Sequence, residues 1–225
     1  VDTLVKDLKV PTDKIEQYKE FKEQYTPLEE QSQKIKAVEN KIDEAVKGIT
    51  EDTVKFSDKN ALDDAQAALD SLVKEDKLDV PAAYRQKLTD AYNALEKLQA
   101  QKEQLIKKIN DELKDFTATL TNSKTVTDLQ DAVKSMEDKR DADFTTTDDG
   151  ADEAMKLLNQ ALNSLDAVKK QSEELHSRIA NLPEKEQVTA TDKNELDAVK
   201  NDMAAMAKLG DIFSEAENAK VEAVE

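Results

Sequence analysis

From Pro81 to Phe116 the chain runs without a glycine, a further proline or a turn cluster, and from Ala151 to Leu182 it does so again. In the second run, small and apolar residues recur as Ala151, Ala154, Leu158, Ala161, Leu165, Val168, Ser172, Leu175, Ile179 and Leu182. Steps of three and four place all of these on one face of a helix, whereas a strand would send alternate residues to opposite faces. A helix of about 35 residues is about 50 Å long at 1.5 Å per residue. So long a helix needs different neighbours along its length, and this excludes most folds built on sheets.

The neighbours are readable as repeats. Leu62, Ala65 and Leu69 share their spacing with Leu129, Ala132 and Met136, 67 positions on, and with Leu196, Val199 and Met203, a further 67 on. Asp58-Lys59-Asn60 returns as Asp192-Lys193-Asn194, with Thr125 before the middle copy. A second helix type, Tyr84, Leu88, Ala91, Leu95 and Leu98, recurs at an offset of 70 as Ala154, Leu158, Ala161, Leu165 and Val168. That offset predicts three extra residues in the loop Asp138 to Gly150, which a surface connection tolerates. A third type carries Val38, Ile42, Ala45 and Ile49, then Leu105, Ile109 and Leu113, then Leu175, Ile179 and Leu182. Periods of this length mark modular arrays.

The expected fold is all-α: tandem three-helix bundles joined by continuous helices into an elongated rod, the last helix of one unit flowing into the first of the next. The segments are a partial helical repeat at 1–37, three-helix repeats at 38–103 and 104–171, and a repeat at 172–225 truncated in its last helix. A single compact bundle with the long helices side by side is the alternative. Near 67 residues a bundle is marginal alone, so a shared helix would lend each unit its neighbour's stability. The chain begins at Val1 and reads as a piece of a longer protein.

Helix punctuation agrees with this division. Thr26-Pro27-Leu28-Glu29 has the order of a capping Thr, a first-position Pro and a capping-box Glu. Asp13 with Glu16 and Asp192 with Glu195 repeat the cap-plus-acid spacing. Pro81 is placed to open a helix and Pro183 to follow one, and Gly48 and Gly210 stand where left-handed C-terminal caps are expected.

Charge and composition narrow the function. The net charge is −17, and arginine occurs only at 85, 140 and 178. Nucleic-acid binding needs clustered positive charge, so that class is disfavoured, as is attachment to an anionic membrane by a basic helix. No apolar run approaches the length of a membrane span. Without cysteine there is no disulfide and no thiol nucleophile.

Candidate chemistry is sparse. His176 is the only histidine, flanked by Glu173 and Glu174 but with no partner at ligand spacing, and it reads as a rim or solvated residue. The acidic loop Asp141 to Glu153 invites calcium, yet an EF-hand register from Asp141 puts Thr146 and Asp152 where Gly and Glu are required. A capped, solvated helix start is the reading preferred over an irregular calcium site. Tyr18, Phe21 and Tyr25 have the spacing of a core face, preferred here over a binding patch. Phe56 and Phe144 fall in connections and read as plugs over the bundle ends. No phosphate loop, nucleophile elbow or zinc motif is present, so no enzyme, cofactor or metal is expected.

Tandem, cap-rich, cysteine-free helices with Lys far in excess of Arg resemble the helical repeat regions of Gram-positive cell-wall-anchored surface proteins, and the continuous joints look spectrin-like. The resemblance rests on architecture and covers nearly the whole chain. It implies an extracellular, cell-surface location and adhesion to a host serum or extracellular-matrix protein, by a chain expected to be monomeric. A structural stalk and an intracellular coiled-coil scaffold are the alternatives.

Overall fold

A computed structural model describes residues 12–183, 189 and 192–222, except the side chains of residues 12, 13 and 15. Most of the residues expected as a partial repeat at 1–37 are covered; residues 1–11, and the side chain of the expected cap Asp13, lie outside the described set. The described residues are helical, with no strand among them. Among the described residues there are seven α-helices: α1 (Thr12–Ala45), α2 (Lys59–Lys74), α3 (Ala82–Leu113), α4 (Ser123–Arg140), α5 (Ala151–Asn181), α6 (Lys193–Lys208) and α7 (Glu215–Glu222). Both glycine-free runs are single helices, α3 and α5, as their sequence requires. Contacts divide the chain into two compact units, one ending at Gln99 and one beginning at Ala100.

In the first unit α1 and α2 pack together, antiparallel, with Lys34 of α1 paired to Asp76 just past the end of α2. The start of α3 lies beside both. Lys87 meets Asp43 at 2.6 Å, Lys97 meets Glu51, and the Tyr92 hydroxyl donates to Asp63 at 2.9 Å. Between them lie Ile42, Leu62, Ala65, Leu69, Leu88 and Leu98, all buried. Each fully buried Leu or Ile contributes about 2 kcal/mol relative to exposure.

In the second unit α5 packs against α4 with its first half and against α6 and α7 with its second. Nine of the ten residues of its apolar stripe are buried, and Ser172 is half-buried. The turn before α4 and the end of α6 are joined by the Leu120 amide, which donates to the Leu209 carbonyl at 2.8 Å. Gly210 lies there with φ +87°, and a side chain at 210 would meet the Thr121 methyl group at 2.7 Å. Pro183 follows Leu182, which turns extended at ψ 142° because a residue before proline is pushed out of helical space. Pro81 precedes α3 and accepts the Tyr84 amide at 2.9 Å.

Three local expectations are overturned. Thr26 caps nothing: Pro27 lies inside α1, and the Thr26 hydroxyl donates back to the Lys22 carbonyl at 2.8 Å. Pro27 removes the amide that would serve Glu23, and because residues 19–34 are all exposed, water can satisfy that carbonyl. Asp192 likewise makes no forward cap. It reaches back to the Thr189 amide at 2.7 Å. Asp58 does the same to Lys55 at 2.8 Å and Asn122 to Thr119 at 2.9 Å, so Asn122 is the middle counterpart and Thr125 is not.

The third correction is one of register. The buried stripe of α4 is Val126, Leu129 and Val133, while Ala132 and Met136 are only half-buried. The helices carrying Leu62, Val126 and Leu196 are therefore offset by 64 and then 70 positions, the same offsets that separate Asp58, Asn122 and Asp192. Ile42 to Leu62 spans 20 positions but Ile109 to Val126 and Ile179 to Leu196 span 17, so the passage from the core of α1 to that of α2 takes three residues more. That surplus forms a turn in which Thr53 donates to the Gly48 carbonyl at 2.6 Å and Val54 plugs the core. Val126 to Leu158 spans 32 positions and Leu62 to Leu88 spans 26; three of the six extra residues lie in the α4–α5 connection, ten residues against seven in α2–α3 as the offset predicts, and the other three lie within α4 and α5.

Candidate functional site

The acidic connection between α4 and α5 is a closed structure of its own. Phe144 is 1% exposed, a plug as expected, whereas Phe56 is half-buried. Over the Phe144 ring, 5.3 Å from its centroid, sits the ammonium of Lys102, whose side chain is only 7% exposed. Lys102 pairs with Asp149 at 2.7 Å. Burial would raise the Asp149 carboxyl, but Lys102, the Ala151 amide and the Thr146 hydroxyl outweigh it and hold it below the usual range. Asp143 accepts from the amide and hydroxyl of Thr145, both at 2.7 Å, and Asp152 pairs with Lys156 at 2.9 Å. These carboxylates face internal donors, and no group of three His, Cys, Asp or Glu among the described residues is arranged to hold a metal ion.

His176 stands at the rim, its side chain 31% exposed, but it is held there by partners rather than free in solvent. It projects from α5 into a cluster supplied by the α6–α7 connection and the start of α7. Its Nδ1 meets Glu217, its Nε2 lies 3.1 Å from Asp211, and its ring packs at 5.1 Å on Phe213. The hydrogen bonds to Glu217 and then Asp211 raise its pKa against partial burial. His176, with the hydroxyl and amide of Ser214, lowers Glu217 to about 2. Burial pushes Asp211 up, but the Ser172 hydroxyl and His176 bring it below its ordinary value. Both ring nitrogens are engaged, so the cluster binds α7 to α5 and offers no base to a substrate. Partners 35 and 41 positions away leave no local signal in a sequence.

The third feature lies on α1. Tyr18, Phe21 and Tyr25 were expected in a core, and the fold corrects this: Phe21 is 59% and Tyr25 51% exposed, and Tyr18 is half-buried. Leu28, one turn on, is 62% exposed. The rings of Phe21 and Tyr25 stack on each other, centroids 5.6 Å apart and 13° from parallel. Beside them Tyr25, Leu28, Ser32 and Lys36 line a shallow groove of about 450 Å³. Aromatic side chains that have already lost freedom to one another cost little more to immobilise against a partner. Elsewhere in the first unit, a wide groove of about 480 Å³ runs between the end of α1 and α3, lined by Val46, Ile49, Ala91 and the Lys97–Glu51 pair.

The signal for the α1 face was in the sequence, in spacing along the helices. Leu28, Leu95 and Leu165 each stand 14 positions before Ile42, Ile109 and Ile179, and Phe21, Leu88 and Leu158 each stand 21 before. The three isoleucines are all fully buried, as are Leu88 and Leu158, and Leu95 and Leu165 are buried too. Phe21 and Leu28 are thus core-type positions left uncovered. No helix among the described residues is long and apolar enough to cross a membrane. Comparison with protein-family models, with curated protein sequences and with solved structures finds no match.

Proposed function

We propose that the chain is a helical repeat region of a bacterial surface protein that acts in adhesion, holding a host serum or extracellular-matrix protein against α1. The observation that carries this reading is the exposed stripe of Phe21, Tyr25 and Leu28 on a helix whose later turns are packed normally. Contact residues of this kind dominate protein interfaces, and a face that buries only when a partner arrives suits a binding region. In this reading the helices form tandem three-helix bundles, and α3 and α5, each leaving one core and entering the next, join them into an elongated rod.

The test is a pull-down with the immobilised chain from serum and solubilised extracellular matrix, followed by a saturation titration of what survives a salt wash. One protein binding saturably to the natural chain, and not to a Phe21→Ser/Leu28→Ser variant, is the expected result. Failure to capture anything specifically would sink it. The continuity of α3 and α5 favours a second reading, a stalk that spaces another domain from the cell. Small-angle scattering from an extended particle, together with an empty pull-down, would point to the stalk.

A further inference from the structure

The apolar face of α1 has two covered counterparts within the chain, and these specify its partner. Leu88 and Leu95 on α3, which match Phe21 and Leu28, are buried beside α1 and α2, to which Lys87, Lys97 and Tyr92 tie this part of α3. Tyr25 matches Tyr92, whose hydroxyl is held by Asp63 of α2. What covers this kind of face is a pair of amphipathic helices.

The charges beside the face are reversed. On α3 it is flanked by Lys87 and Lys97, which pair with Asp43 at the end of α1 and Glu51 in the following turn. The matching positions on α1 are Glu20 and Glu30. An acidic helix pair like the one that covers α3 would set carboxylate against carboxylate there, and like charges in contact oppose docking. A second copy of this chain, at net charge −17, is disfavoured on the same ground.

We infer that the exposed face of α1 docks an antiparallel pair of amphipathic helices from another protein, with Lys or Arg set opposite Glu20 and Glu30. The apolar side chains of that pair cover Phe21, Tyr25 and Leu28, and its basic residues supply the complement that Asp43 and Glu51 supply to α3. The inference rests on the protein-binding reading above and adds the structural class and charge of the partner.

The experiment uses the full chain and the protein it captures from serum or matrix. Glu20→Lys/Glu30→Lys is compared with Phe21→Ser/Leu28→Ser; all four residues are exposed, so neither double variant disturbs a core. Hydrogen exchange on the captured protein locates its contact segment. Both double variants are expected to weaken binding at least tenfold, the natural pair to weaken as salt rises, and the protected segment to be helical and basic. Loss confined to Phe21→Ser/Leu28→Ser, or protection of a strand, a loop or an acidic helix, would overturn the partner class and leave the binding reading standing. Binding indifferent to both variants, or no capture at all, would overturn both. Concentration-dependent self-association abolished by Phe21→Ser/Leu28→Ser would identify a second copy as the occupant and overturn the inference.

Discussion

Three residues carry consequences out of proportion to their size. His176 has a raised pKa, so its bond to Asp211 and Glu217 is fully present below its unfolded value of about 6.5 and is lost as pH rises through the folded one. The two carboxylates are lowered, so their share is present above about 4.5 and is lost as pH falls through their folded values, about 2 for Glu217. Nuclear magnetic resonance titration should find His176 midway protonated above pH 6.5, and the protection of α7 amides relative to their intrinsic exchange should be greatest between about pH 4.5 and 6.5. A midpoint at or below 6.5 would refute the clamp. Gly210 combines a positive φ with a Thr121 methyl group 2.7 Å from where a Cβ would stand. Gly210→Ala should cost about 1–2 kcal/mol in urea unfolding, the left-handed penalty of an L-residue, and more if Thr121 cannot move. Asp149→Ala removes the carboxylate from a buried lysine, and a loss of about 3 kcal/mol is expected in the same assay. The left-handed backbone of Gly210 was legible from its place after a helix, but its contact with Thr121 and the roles of His176 and Asp149 were not, because each depends on a contact between distant parts of the chain.

At the scale of elements, periodicity told which face of each helix is apolar and nothing about what covers it. For α3 and α5 that sufficed, since their stripes are buried as the spacing implies. For the first half of α1 it did not, and the same 3-and-4 pattern stands in water. The stripe of α4 was misaligned for a related reason. A stripe stepping three, four, three maps onto itself when slid by a few residues, and Leu129 belongs to both registers. The capping groups resolve it, because Asp58, Asn122 and Asp192 perform one task, but Asn for Asp hides the match from residue identity. Thr26-Pro27 misled in the opposite direction, as a sequence that often starts helices and here lies inside one. Pro27→Ala would restore an amide to the Glu23 carbonyl. Amide exchange across residues 19–30 should slow at least tenfold, since an interior proline costs a helix about 3 kcal/mol relative to alanine. Unchanged exchange would mean that this part of α1 is held by something other than its own hydrogen bonds.

Over the molecule as a whole, fold class was legible because it depends on quantities that add along the chain: scarce glycine and proline, many charges, narrow apolar stripes. The net charge of −17 adds in the same way and works against the folded state. Salt screens that repulsion, so the melting temperature should rise between 20 and 300 mM sodium chloride, about the range over which the Debye length falls from roughly 20 to 6 Å. A fall would mean that the surface ion pairs outweigh the repulsion. Length variation in this chain is equally systematic. The spacing from Leu62 to Leu88 and from Val126 to Leu158 differs by six residues, three of them in the connection; within α1, α3 and α5 the intervals of 14 and 21 hold in all three cases. A helix serving one core with its first half and another with its second behaves as a crankshaft. One residue inserted in the middle of α5 would turn Leu175 and Ile179 by about 100° relative to Leu158 and Leu165, pointing one set away from its core. Seven inserted residues would nearly restore the angle. Such a helix can lengthen between its two cores only by close to whole turns, and the connections and helix ends are left to absorb everything else.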